Sequence, residues 1–161
     1  MSGFTVTALA PDQIRAVFPL IREVMPAIDL AGWIEFARQL TNPRRGVQSG
    51  IIAARREGRA FPCGLFCYRV DNDLAQGKVL IAEHFVAVDL LDTKAVLDAL
   101  VAELDALGQR LGCNAVRSVV HGGTSEVAGG LVAAGHAPEA SLLLKPLPRG
   151  RAAQRPRACA H

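Results

Sequence analysis

One stretch of this chain narrows its fold more than any other. Val96, Leu97, Leu100, Val101, Leu104, Leu107 and Leu111 recur at helical spacing and make a broad apolar stripe. Asp92 or Thr93 caps the start of that helix, and Gly112 ends it. A stripe this wide has to be buried against a partner, and the flanking segments supply one. Lys78 to Val88 is the longest strand signal, with Val79, Ile81, Phe85, Val86 and Val88. Ala115 to Val120 reads as a fully apolar short strand, the pattern of a central strand covered on both faces. The helix therefore lies on a sheet.

The remaining elements set the class. Phe4 to Leu9 alternates and is β-prone. Ala10-Pro11-Asp12 opens a helix with Ile14, Val17, Phe18, Ile21 and Val24 on one side, up to Met25-Pro26. Asp29 caps a second helix carrying Leu30, Trp33, Ile34, Ala37 and Leu40, which Asn42 to Gly46 stops. Gly50 to Arg55 and Phe61 to Val70 are strands around the Glu57-Gly58-Arg59 turn, and Asp71 to Gly77 is a polar hairpin loop. A small-residue helix runs from about Glu126 to Ala134 and stops at Gly135, and Ser141 to Leu147 is the last strand. The order β-α-α-β-β-β-α-β-α-β predicts an α/β (α+β) protein. Its sheet is mixed and mostly antiparallel, with helices on both faces.

Composition bounds the partners. The chain has 161 residues, half of them hydrophobic, which is one globular domain by length and composition. We read residues 1–147 as that domain and 148–161 as a basic, disordered tail. Arg149, Arg151, Arg155 and Arg157 lie in the tail with no acid beside them. Without them, the total of 18 basic and 15 acidic residues becomes 14 against 15, a net charge of −1. A near-neutral body argues against a nucleic-acid-binding domain, leaving at most a weak RNA contact by the tail. No apolar run reaches the roughly 18 residues of a membrane span, and the first residues carry no secretory pattern. A cytoplasmic protein is expected. Cys63, Cys67, Cys113 and Cys159 match no zinc spacing. Cys63 and Cys67, four apart on a predicted strand, are expected on one face as core residues.

The layout from about residue 4 to 147 resembles the GCN5-related N-acetyltransferase (GNAT) family. Phe4 to Ile14 looks like the family's opening strand and its proline-aspartate helix start. Ile51 to Arg59, followed by Gly64, looks like its second strand, turn and third strand. Ile81 to Asp89 looks like its central fourth strand. Leu111-Gly112-Cys113 and Gly135-His136 sit where the family has a leucine-glycine helix end and a glycine-phenylalanine. The resemblance implies transfer of an acetyl group from acetyl-CoA, as co-substrate, to an amine of a small molecule or peptide. A homodimer is expected on the same analogy. The fourth and fifth strands would splay to admit pantetheine, and the loop before the long helix would hold the diphosphate on its free N–H groups.

The resemblance assigns the site residues. Val86 and Val88 would line the pantetheine cleft, Thr93, Lys94 and Ala95 would meet the diphosphate, and Thr124 and Ser125 would donate to the cofactor or else cap their helix. The diphosphate loop departs from the family pattern. Asp92 stands where a basic or neutral residue is usual, and Ala95 and Leu97 stand where glycine and a small residue are usual. Asp92 would compete with a phosphate for the same N–H donors, with Lys94 offsetting its charge and Leu97 pointing into the core. Glu83 matches the place of a catalytic glutamate in several family members and is the candidate base. His84 is expected on the opposite side of the sheet, because strand side chains alternate. No tyrosine lies on the last helix to protonate the leaving thiolate; Leu131 or Val132 takes that place, and the lone Tyr68 is on the third strand. Trp33, Phe36 and the Asn42 to Gly46 turn, with Arg44 and Arg45, are the candidates for the acceptor site, and His121 closes the fifth strand. No metal site is expected. A protein of this fold without acetyl-CoA chemistry, serving as a binding or regulatory module, is the alternative.

Overall fold

Five strands pair side by side in chain order, and their alternation sorts the core into two layers. In the computed structural model, which describes residues 3–89, 91–121 and 125–148, the strands are β1 (Phe4–Ala8), β2 (Ser49–Arg56), β3 (Gly64–Asp73), β4 (Gly77–Ala87) and β5 (Ala115–Ser118). β1 to β4 form an antiparallel meander, and β5 joins β4 in parallel. The helices are α1 (Phe18–Val24), α2 (Leu30–Leu40), α3 (Thr93–Arg110) and α4 (Ser125–Ala133). No helix among the described residues is long and apolar enough to cross a membrane.

Successive strand residues point to opposite faces. Ile52, Ala54, Phe66, Leu80 and Ala82 meet the α3 stripe and Val127 and Leu131 of α4 in one layer. Ile51, Ala53, Leu65, Cys67 and Val86 meet Ile21 of α1 and Trp33, Ala37 and Leu40 of α2 in the other. The expected stripe of α3 is the buried one, and Gly112 follows it at φ +66°, a conformation that glycine adopts without strain. Asp29 caps α2 as expected, accepting the Gly32 N–H at 2.7 Å.

Four expectations need correction. The helix opened by Pro11 is broken into a short 3-10 turn, Pro11–Gln13, and the later α1, so Pro19 sits in the first turn of α1, where its missing N–H costs nothing. Cys63 precedes β3 and packs in the α3 layer, whereas Cys67 is buried in the α1–α2 layer, so they do not share a face. β5 is not a central strand. Arg117 and Ser118 interrupt its apolar run, its residues are only partly buried, and it ends the sheet order. The segment 141–147 forms no strand and pairs with none of the five. Pro138 and Pro146 offer no N–H, and Arg117 bridges from β5 to Glu139 at 2.7 Å through side chains. A groove of about 970 Å³ is left beside β5.

Candidate functional site

The site starts from a fault in the β3–β4 ladder. Leu65 pairs with Val86 and Cys67 with Glu83, so His84 and Phe85 together oppose the single residue Phe66. His84 absorbs the extra residue at φ +57°. That left-handed conformation is uncommon outside glycine, although histidine is among the residues that tolerate it. The bulge breaks the alternation. Phe85 turns to the α3 layer, 5.5 Å from the Phe66 ring, while His84 packs edge-on against Phe36 of α2 at 5.3 Å. Glu83 pairs across with Cys67 and faces the same α1–α2 side. The expectation that Glu83 and His84 lie on opposite sides is therefore corrected.

The same bulge ends the contact between β4 and β5. Their pairing runs from Val79 with Ala115 to Ala82 with Ser118, and the Val119 N–H reaches Ala82 O at 2.8 Å. Beyond it the strands part. Across the opening His84 stacks on His121, with ring centroids 5.5 Å apart and planes 14° apart. The void there is only about 40 Å³, walled by Val24, Met25, Phe85, Val119, Val120 and the two imidazoles.

Charges on this face are paired. Arg69 Nη1 donates to Glu83 Oε1 at 2.6 Å, and the Glu83 side chain is 22% exposed. Burial lowers the pKa of His84 below the ordinary imidazole value; His121 and Arg69 act in the same direction and Glu83 opposes them. His84 is therefore neutral at pH 7. Its Nδ1 is buried without a hydrogen-bond partner among the described residues.

The start of α3 is built differently from what a diphosphate needs. Asp92 Oδ1 accepts the Ala95 N–H at 2.9 Å. Asp89 Oδ1 accepts the N–H groups of Leu91 at 2.7 Å and Asp92 at 3.2 Å. Thr93 donates its hydroxyl to Asp89 O at 3.1 Å, and Lys94 is paired with Asp98 at 2.6 Å. Leu97 is buried in the α3 layer and lies against Gly130 of α4, as its expected inward orientation requires. The residues present do not fit the diphosphate of a CoA thioester.

The other expected site residues fall in several places. Val86 is buried in the α1–α2 core, out of a ligand's reach, and Val88 lies past the end of β4, 41% exposed. Trp33 is 1% exposed and gives its indole N–H to Ile14 O at 2.8 Å, so it is a core residue and lines no acceptor site. Arg44 is exposed in the Pro43–Gln48 turn, its N–H donating to Asn42 Oδ1 at 3.0 Å. Thr124 lies outside the described residues, and Ser125 is the first residue of α4. Tyr68 faces the α3 layer, opposite to Glu83, and its hydroxyl donates to Val47 O at 3.4 Å. Among the described residues no group of three metal-ligating side chains converges. Sequence reasoning missed Arg69 and Asp89, because only the tertiary structure brings them to these places; Phe36, expected at the acceptor site, lies against His84.

No family model and no curated protein matches this sequence. Solved structures do match its shape. Glucosamine-6-phosphate N-acetyltransferase from Arabidopsis thaliana is 14% identical with a TM-score of 0.71, covering 90% of this chain and 99% of that one. Aminoglycoside N-acetyltransferase AAC(6')-Iy in complex with CoA is 12% identical with a TM-score of 0.75, covering 91% and 96%. Ribosomal-protein-alanine N-acetyltransferase from Brucella melitensis is 13% identical with a TM-score of 0.71, covering 90% and 99%. At such identities the likeness is one of fold. With its meander, its parallel fifth strand and the divergence beside His84, the chain has the fold of the GCN5-related N-acetyltransferases.

Proposed function

We propose that this chain is an N-acetyltransferase that moves an acetyl group from a thioester, of which acetyl-CoA is the reference compound, to the amine of a small molecule or peptide. The observation that carries this reading is the bulge at His84. It sets the Glu83 carboxylate and the His84 imidazole side by side on one face, where β4 and β5 part. An alkylamine with a pKa of about 10.4 arrives as an ammonium ion without a free lone pair. Glu83, held by Arg69, attracts that ion and takes its proton, directly or through one water. His84 is neutral, so it adds no positive charge to repel the ammonium ion. An arm entering between the strands displaces the His121 ring, because the void is far too small for it.

The test is thiol release from acetyl-CoA and from acetyl-pantetheine across a panel of amines. Glu83→Gln keeps the shape of the side chain and removes the base, so turnover falls by about 10²–10⁴. Equal rates for the variant and the wild-type protein with a productive amine overturn Glu83 as base. No release from either thioester overturns acetyl transfer. A second reading, a binding module of this fold without acyl transfer, is favoured by the void of about 40 Å³. Its signature is amine or peptide binding that neither thioester alters.

A further inference from the structure

The fold implies a donor held by its diphosphate at the start of the helix after the fourth strand, and this chain disagrees with its fold there. We propose that Asp89 and Asp92 take the diphosphate's place, so that the acyl donor is recognised by its thioester arm alone and a simple pantetheine thioester serves as well as a CoA thioester. This rests on the acyl-transfer reading.

Four observations converge. First, three of the backbone donors at this turn are in use. The N–H groups of Leu91 and Asp92 end on Asp89 Oδ1, and that of Ala95 ends on Asp92 Oδ1. A phosphate oxygen would have to displace a carboxylate that is tethered to the same turn and so is always present. Second, the charge is wrong. Two carboxylates lie where an anion would bind, and the Leu91 N–H and Arg56 help keep Asp89 ionised. Third, the nearby cations are engaged. Arg56 Nη2 lies 3.0 Å from Asp89 Oδ2, and Lys94 Nζ lies 2.6 Å from Asp98 Oδ2. Fourth, space is missing. A Cβ at Gly130 would fall 2.6 Å from Leu97 Cδ2, so the gap between α3 and α4 is already closed by side chains. None of these features touches the Glu83–His84 face, so the loss of a diphosphate seat leaves the proposed chemistry in place.

The experiment measures the affinity of the full-length protein for CoA and for pantetheine, which carries the same thiol arm without diphosphate or nucleotide, by calorimetry at low salt. Wild-type protein is expected to bind the two within about threefold of each other. Asp92→Gly frees the Ala95 N–H and removes one charge; it is expected to tighten CoA about tenfold and leave pantetheine unchanged. Asp92→Ser keeps a capping oxygen, removes the charge and guards against a folding defect; it should move in the same direction. A wild-type preference for CoA of about thirtyfold or more, or a CoA-to-pantetheine ratio that neither variant changes, overturns the proposal. If neither compound binds the wild-type protein at millimolar concentration, the acyl-transfer reading fails. The role of Asp92 is then decided by whether the variants gain CoA binding.

Discussion

The contact between Leu97 and Gly130 gives a prediction whose size can be worked out. It joins α3 to α4 and closes the space beside the first turn of α3. A methyl group at Gly130 would lie 2.6 Å from Leu97 Cδ2 and 3.1 Å from its Cγ, both inside van der Waals contact. The leucine tip has little room to swing aside, because it is packed with Val101, Val127 and Leu131 in the buried α3 layer. Overpacking of this kind costs about 1–3 kcal/mol. Glycine to alanine in a helix returns about 0.8–1.0 kcal/mol through backbone entropy. Gly130→Ala is therefore expected to destabilise by roughly 0–2 kcal/mol, where an exposed helix position would stabilise. Leu97→Ala removes a buried side chain and costs about 2–5 kcal/mol. In the double variant the methyl group added at Gly130 enters the cavity that Leu97 leaves, so the two losses should sum to about 1–2 kcal/mol less than independent sites would give. Urea unfolding followed by far-UV circular dichroism supplies all four corners of the cycle, provided the m-value stays constant. A Gly130→Ala protein about 1 kcal/mol more stable than wild type, with a cycle closing within roughly 0.5 kcal/mol, would refute the packing and with it the closed gap beside α3.

Three further outcomes follow from named contacts. The lowered pKa of His84 means that the folded protein binds fewer protons than the unfolded chain in this range. Its contribution to stability is complete above about pH 6.5 and is lost as the pH falls below that. His84→Asn, with a side chain that tolerates the same backbone conformation, should flatten the stability curve between about pH 5 and 7; an unchanged slope there removes His84 as the titrating group. Trp33→Phe leaves the Ile14 carbonyl buried without its donor, so it should cost about 1–3 kcal/mol in thermal or urea unfolding, and a neutral result refutes the core role assigned to the indole. Arg117→Met cuts the bridges to Asp73 at 2.8 Å and Glu139 at 2.7 Å, so protease should cleave within 136–148 faster than in wild type; an unchanged cleavage rate shows that the bridges do not hold that segment.

How far the site could be read in advance depended on the kind of signal. Asp92 as a cap was legible because its acceptor and its donor lie three residues apart in the chain, within one helical turn. The α3 stripe was legible because periodicity is local. The face of His84 was not, because alternation holds only while a ladder stays in register, and nothing near His84 announces that one residue of β3 will face two of β4. β5 was misjudged for a related reason. Apolar content places a strand in the core on average, but its position in the sheet depends on whether a later segment pairs with it, and Arg117 bridges to Glu139 instead.

By itself the sequence determined the order of the main elements from β1 to α4, the buried stripe of α3 and the self-capped start of that helix, since each rests on neighbours within a turn or on a repeat along one segment. Only the tertiary structure decided that Glu83 and His84 share a face, that Arg69 holds Glu83, that Trp33 is core, and that Leu97 closes against Gly130. These depend on register, on one bulge and on contacts between distant segments, where a shift of one residue reverses every side chain's direction and local pattern carries no information about it.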